Sequence, residues 1–155
     1  MIEKNSFEDV LKKYGELTYI CKGTSMLPML RPEKDIFTVV KKTEARCKEN
    51  DVVLFELNGK YILHRIVEVF DDHYTILGDN CVNYEKNIKD ENILGILISF
   101  QRNGQIIRTS DTKYNIYIFL LRLFEKPRIV SKKLLAACKK RIKELVGYSR
   151  KTYDD

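Results

Sequence analysis

The chain has 155 residues, of which 44% are hydrophobic and 32% are charged, with seven glycines and three prolines. This length suits a single domain that buries about 70% of its unfolded surface, and the composition excludes collagen-like, low-complexity and wholly disordered proteins. The net charge of +6 is unevenly distributed: residues 1–100 carry 14 basic and 17 acidic side chains, and residues 101–155 carry 14 and 5. The positive charge therefore belongs to the C-terminal third.

The first 110 residues predict an antiparallel β body behind a short helix. Apolar side chains recur at helical spacing in residues 7–14, with Ser6 as the N-cap and Asp9 at the third helical position. Asn58-Gly59 and Asn103-Gly104 predict tight hairpin turns. β-Branched and aromatic residues predict seven strands, over residues 17–21, 35–42, 51–57, 61–70, 74–77, 93–102 and 105–109. We therefore expect a mainly β fold.

The last third of the chain predicts two helices, over residues 115–124 and 131–146, separated by Lys126-Pro127. The second helix combines an apolar stripe with many lysines, and Gly147 is its expected C-terminal stop. The predicted organisation is thus an N-terminal helix in residues 1–16, a β domain in 17–110 and a basic amphipathic helical extension in 111–155.

Cysteine and histidine usage predicts no metal site. The four cysteines, Cys21, Cys47, Cys81 and Cys138, are widely spaced and form no C-x-x-C pair, and the chain has only two histidines. Structural zinc requires closer ligand pairs. We expect no metal, no cofactor and reduced cysteines, as in a cytoplasmic protein.

No segment is predicted to cross a membrane. The most apolar run, residues 116–124, is interrupted by Arg122, and a spanning helix needs about twenty predominantly apolar residues. Residues 1–14 are polar and charged, unlike a secretory signal.

Three short segments carry the candidate chemistry. Ser25 lies at a turn in residues 23–30, Gly-Thr-Ser-Met-Leu-Pro-Met-Leu; His64 lies within a predicted strand; Asp79 lies in residues 77–80, Leu-Gly-Asp-Asn, at a strand end. Taken singly, each has a structural explanation: a turn serine, a core histidine and an Asx turn. Taken together, they match acyl transfer, in which Ser25 attacks a peptide carbonyl, His64 moves the proton and Asp79 holds the imidazole.

The same segments resemble the sequence boxes of the signal peptidase I and LexA-like serine peptidase superfamily. Residues 23–30 are similar to its nucleophile box, G-x-S-M-x-P-x-L. Residues 51–67, including His-Arg-Ile, resemble the second box of its histidine-type branch, which contains archaeal, endoplasmic-reticulum and sporulation-type signal peptidases. Residues 77–80 match the third box, and residues 93–97 resemble the strand that follows. The resemblance covers about residues 17–108.

This resemblance implies a serine endopeptidase with a coiled, mostly antiparallel β fold that cuts a leader-like or signal-like peptide. It implies Ser25 as nucleophile and as an oxyanion-hole donor through its backbone N–H, His64 as general base and Asp79 as third partner. Substrates of the family bind as an added β-strand. The residues expected to contact the substrate are Gly23, Thr24, Met26 and Pro28.

Two departures from the family bear on the function. The chain starts almost directly with the predicted catalytic domain, so we expect neither a membrane anchor nor a DNA-binding domain before it. None of its alanines, Ala45, Ala136 and Ala137, precedes a glycine, so self-cleavage at an Ala-Gly bond is a distant alternative. The nearer alternative to an endopeptidase is a non-catalytic module of the same fold that captures an extended peptide.

Several partners suit the basic tail. In one interpretation, its apolar residues, such as Phe119 and Leu123, pack on the β body or on a second copy in a homodimer, and its lysines are solvated. Alternatively, the amphipathic helix lies on an anionic membrane surface. Nucleic acid is not expected, because few aromatic residues are interleaved with the charge and no recognition motif is present.

Overall fold

The helix α1, Phe7–Tyr14, has the bounds that its capping residues predict in this computed structural model, which describes residues 6–151. The Asp9 N–H donates to the Ser6 hydroxyl oxygen at 3.1 Å, and the Ser6 N–H donates to the Asp9 carboxylate at 3.2 Å. This reciprocal pair is a capping box. At the other end, Gly15 has φ 76° and its N–H donates to the Leu11 carbonyl at 3.0 Å, which ends the helix.

Eight antiparallel strands form one sheet within residues 6–151, which confirms the predicted mainly β fold. The sheet order is β1-β2-β7-β3-β4-β5-β6, and β8 pairs with β7. The strands are β1 Glu16–Ile20, β2 Ile36–Lys41, β3 Val52–Leu57, β4 Lys60–Val69, β5 His73–Leu77, β6 Glu85–Lys89, β7 Ile93–Arg102 and β8 Gln105–Arg108. A single 3-10 turn, Asp90–Asn92, joins β6 to β7.

Both predicted Asn-Gly turns close hairpins. Asn58 and Gly59 have φ 52° and 73° between β3 and β4, and Asn103 and Gly104 have φ 51° and 80° between β7 and β8. Positive φ at both central residues matches the twist of a two-residue hairpin, and asparagine and glycine tolerate it best. These local turns set the register of the β3–β4 and β7–β8 pairs.

The strand β6 is absent from the sequence prediction. Its sequence, Glu-Lys-Asn-Ile-Lys, contains one buried apolar residue, Ile88. Such a segment has no alternation of apolar and polar residues from which a strand could be recognised. Its place at the edge of the sheet comes from pairing with β5.

The core consists of two clusters on opposite sides of the central strand β3. Val52 and Leu54 belong to one cluster, together with Leu11 and Phe37, while Val53 and Phe55 belong to the other. Successive side chains of a strand point to opposite faces. All four residues of β3 are buried, so this strand is covered on both faces.

Two helices follow the sheet, α2 Thr112–Leu123 and α3 Glu125–Lys151. The break predicted at Lys126-Pro127 and the stop predicted at Gly147 are both wrong. Pro127 lies in the first turn of α3, where its missing N–H would have no helical partner. The backbone of α3 continues helically through Gly147.

The chain divides into two compact units, and the second begins at Leu120, within α2. No helix among residues 6–151 is long and apolar enough to span a membrane. The four cysteines, all within residues 6–151, form no disulfide bond.

A buried carboxylate, Asp35, ties the chain after Ser25 to the sheet. The Arg31 guanidinium donates to Asp35 at 2.7 and 3.0 Å, and that of Arg102 donates at 3.1 and 3.2 Å. Arg102 also donates to the carbonyls of Pro28 and Met29 at 2.8 and 2.7 Å. Burial opposes ionisation of Asp35, but the hydrogen bonds and charges of the arginines outweigh it and lower its pKa.

We expect Asp35→Asn to lower the free energy of unfolding by about 1–3 kcal/mol at pH 7, because the buried arginine contacts lose their counter-charge. The carboxylate pKa is lower in the folded than in the unfolded chain, where it is about 3.9. Its contribution is therefore complete above that value and is lost as the pH falls through the folded-state pKa. Urea denaturation should show the difference from wild type shrinking below about pH 4.

The matched control is Asp71→Asn on an exposed turn, for which we expect little change in stability. A destabilisation by Asp35→Asn that is the same at pH 7 and at pH 3 would contradict the electrostatic role of Asp35.

Candidate active site

The turn that carries Ser25 is anchored by buried methionines. Met26 and Met29 are each 3% exposed, whereas Ser25 is half-buried. Within the turn, the Leu27 N–H donates to the Thr24 carbonyl at 3.2 Å, and the Leu27–Pro28 peptide bond is cis. These two apolar anchors, which follow Ser25 in the chain, thus hold a polar, partly exposed serine at the surface.

The segment after β5 joins the Ser25 turn to the histidine. The backbone N–H of Asn80 donates to the Ser25 carbonyl at 2.7 Å, and its side-chain amide donates to the Thr24 carbonyl at 3.1 Å. Two residues earlier, Gly78 packs against the His64 ring: a Cβ added at Gly78 would lie 2.7 Å from Nε2. The structure therefore brings together the three segments that carry Ser25, His64 and Asp79.

A buried ion pair lies beneath these segments. Arg65 donates to both carboxylate oxygens of Asp79, at 2.8 Å each. Each side chain is 1% exposed. Burial opposes the charge of the guanidinium, but the negative charge of Asp79 and its hydrogen bonds outweigh this, so the pKa of Arg65 is raised. Such a bidentate pair also fixes the relative orientation of the two groups.

Two tyrosines of α2 complete the surroundings of this pair. Tyr117 donates its hydroxyl proton to Asp79 at 2.9 Å, and Arg65 donates to the Tyr114 hydroxyl at 3.1 Å. Burial and then the charge of Asp79 raise the pKa of Tyr117, which keeps its hydroxyl protonated as a donor. The first part of α2 thus closes the underside of the site, a contact that the sequence analysis did not predict.

The carboxylate beside the histidine is Glu85, on β6, and not Asp79. His64 is buried, and its Nδ1 lies 3.2 Å from the Glu85 carboxylate. In place of the expected bond to His64, Asp79 accepts hydrogen bonds from Arg65 and Tyr117. Since His64 and Arg65 are consecutive on β4, their side chains point to opposite faces.

No sequence signal identified Glu85, because it lies on the strand that the sequence prediction lacked. Arg65, in contrast, is part of the His-Arg-Ile segment that resembles the family box, although no role was assigned to it. A buried arginine needs an acidic partner. The carboxylate of Asp79, in the third box, was the sequence feature that pointed to such a partner.

A cavity of about 190 Å³ lies beside Ser25. Its walls come from the end of β1, the serine turn, β2 and the start of β4: Cys21, Lys22, Ser25, Met26, Phe37, Tyr61, Ile62 and Leu63. Of the predicted substrate-binding residues, Met26 lines this cavity, and Gly23, Thr24 and Pro28 lie on the exposed turn. The cavity is small and has both polar and apolar walls, which suits a short side chain of a peptide.

The described part of the chain has no group of three or more His, Cys, Asp or Glu side chains arranged to hold a metal ion. Neither a scan against protein-family models nor a search of curated protein sequences finds a match for this chain.

We expect Gly78→Ala to lower the free energy of unfolding by about 1–3 kcal/mol through overpacking. Its Cβ would lie 2.7 Å from both His64 Nε2 and Cys81 Sγ, closer than Cβ contacts in real proteins, so these side chains would have to shift. Thermal or urea denaturation measures the effect.

Cys81→Ala provides the matched background, because it removes Sγ, one of the three atoms that would lie within 3.0 Å of the added Cβ. We expect Gly78→Ala to be less destabilising in that background than in wild type, although the overlap with the His64 ring remains. An equal cost in both backgrounds would show that the thiol is not part of this packing.

Proposed function

We propose that this protein is a serine endopeptidase that cleaves a leader-like or signal-like peptide segment through an acyl-enzyme. The observation that carries the proposal is the meeting of the Ser25 turn, the His64 ring and residues 78–80 in one place, held by the Asn80 and Gly78 contacts. Isolated turn, core and Asx-turn residues would have no reason to converge.

In the proposed mechanism, the Ser25 hydroxyl attacks the scissile carbonyl while His64 accepts its proton and passes it to the leaving amine. Water then hydrolyses the acyl-enzyme, with His64 again accepting and returning the proton. The Ser25 backbone N–H serves as one oxyanion donor, and such a donor contributes about 3 kcal/mol to transition-state stabilisation.

The two carboxylates have different proposed roles. Glu85 faces His64 Nδ1, so it is placed to orient the imidazole and to stabilise the imidazolium that forms during the reaction. Asp79 neutralises Arg65 and holds the turn that carries Asn80. The role that the family resemblance implies for Asp79 is thus assigned here to Glu85.

The proposed substrate binds as an extended strand along β4. The pairing of β5 with β4 begins at Arg65, whereas β3 pairs with β4 from Lys60 onward. On the side of β4 that faces β5, residues 60–64 are therefore not paired with β5, and a peptide strand can pair with them. A peptide added here would place its side chains at the cavity beside Ser25.

The proposed location is the cytoplasm. The absence of a disulfide among the four cysteines, all within the described residues, suits a reducing compartment. Burial raises the pKa of Cys47 to about 11, so this thiol stays protonated and unreactive.

We expect a fluorophosphonate probe to label wild-type protein at Ser25, and Ser25→Ala to abolish labelling. His64→Ala should slow both labelling and peptide cleavage at least about a thousandfold, because the serine then lacks its general base. Mass spectrometry of the labelled peptide and a leader-peptide cleavage assay measure these effects.

The matched control is Ser110→Ala, which replaces an exposed serine and should leave labelling unchanged. Labelling of Ser25→Ala at the wild-type rate would overturn the proposal. Peptide binding without turnover, equally strong in wild type and Ser25→Ala, would identify a peptide-binding module instead.

We expect Glu85→Gln and Asp79→Asn to separate activity from stability. Glu85→Gln should lower kcat/KM about 10- to 100-fold with little change in the free energy of unfolding. Glu85→Asp should retain more activity than Glu85→Gln. Asp79→Asn should instead lower the free energy of unfolding by about 3 kcal/mol or more, because Arg65 loses its buried counter-charge.

Kinetics and urea denaturation of the three variants test the roles proposed for Glu85 and Asp79. If Asp79→Asn were as stable as wild type but inactive, while Glu85→Gln remained fully active, Asp79 would be the catalytic carboxylate.

A further inference from the structure

The second unit carries a row of exposed apolar side chains that the proposed peptidase chemistry does not use. These residues, here called the exposed apolar row, are Leu120, Leu123, Phe124, Val130, Leu134, Leu135 and Ile142. Their exposed fractions run from 47% to 65%. Helical geometry, at 3.6 residues per turn, puts their positions on one side of the helices, whereas Ile129, on the opposite side of α3, is buried.

The charge of the same segment is strongly positive. From Glu125 to Lys143, eight basic residues face a single acidic one. Lys133, Lys140 and Lys143 lie on sides of α3 away from the exposed apolar row, whereas Lys139 borders the row, four residues after Leu135. A helix with leucine and phenylalanine on one side and lysines on the others has the composition of an interfacial helix.

We propose that this segment docks the protein onto an anionic lipid bilayer, with the exposed apolar row entering the boundary between headgroups and acyl chains. Charge complementarity selects this occupant. A second copy would add another eight cations close to the first set, so like-charge repulsion opposes a homodimer through this surface. A nucleic acid would neutralise the lysines but leave the apolar row in water.

Both parts of the surface contribute to binding. Each cation near an anionic membrane strengthens binding about fivefold, and this contribution falls with added salt. Long lysine and arginine side chains reach the headgroup level while their aliphatic parts lie along the apolar boundary. The inference does not depend on Ser25 chemistry, so its test uses no activity measurement.

The test is co-sedimentation of the full-length protein with phosphatidylcholine vesicles, with and without phosphatidylserine. One variant, Leu134→Asn with Ile142→Asn, removes apolar contacts; another, Lys139→Glu with Lys143→Glu, reverses charges. The first control is Ile106→Asn, an isoleucine that is as exposed as Ile142 but lies on β8. The second control is Lys34→Glu with Lys60→Glu, on exposed positions of the first unit.

We expect binding only to phosphatidylserine vesicles, weakening with salt. The apolar variant should bind at least about tenfold more weakly, and the charge variant at least about 25-fold more weakly, while both controls bind like wild type. Because all four substituted positions are exposed, circular dichroism should show retained helix; should the apolar variant lose helix, the charge variant alone decides.

Three results would overturn the proposal. The first is no binding to phosphatidylserine vesicles at low salt. The second is a lipid-free dimer that the apolar variant converts to a monomer, which would assign the row to a second copy. The third is binding to duplex DNA that exceeds vesicle binding and is unaffected by the apolar variant.

Discussion

The ion pair between Arg65 and Asp79 is the interaction on which the candidate site depends. It joins β4 to the turn after β5, and its hydrogen bonds extend to Tyr114 and Tyr117 on α2. Arg65 also contacts the Met29 sulfur beneath the Ser25 turn at 3.2 Å. A buried charge without its partner costs about 3–5 kcal/mol, so neither β4 nor the turn can take another position without the other.

Consecutive residues of β4 separate two electrostatic tasks. Arg65 points to the side where Asp79 holds the framework, and His64 points to the other side, where Glu85 lies. A framework ion pair needs permanent charges and deep burial, whereas a general base must change its protonation state. Placing the two on opposite faces of one strand supports both tasks, and β3 pairs with β4 at both residues.

Local features of the fold were predictable from the sequence because their causes are local. The Ser6 capping box and the two Asn-Gly turns depend on residues within three or four positions of each other. The helix break predicted at Pro127 is wrong for a related reason. Whether a proline interrupts a helix depends on its position within the helix, and Pro127 lies in the first turn. The strand β6 left no local signal, because pairing with β5 and not its own side chains makes it a strand.

By itself, the sequence determined the mainly β fold, the capped helix, the hairpin turns and the three segments that carry Ser25, His64 and Asp79. Only the tertiary structure decided that Glu85 faces His64, that Asp79 pairs with Arg65 and that α2 closes the underside with its tyrosines. The physical reason is that a side chain's partner depends on its face of the strand and on which distant segments pack there. Spacing along a strand determines which face a side chain occupies, but not which distant residue it contacts on that face.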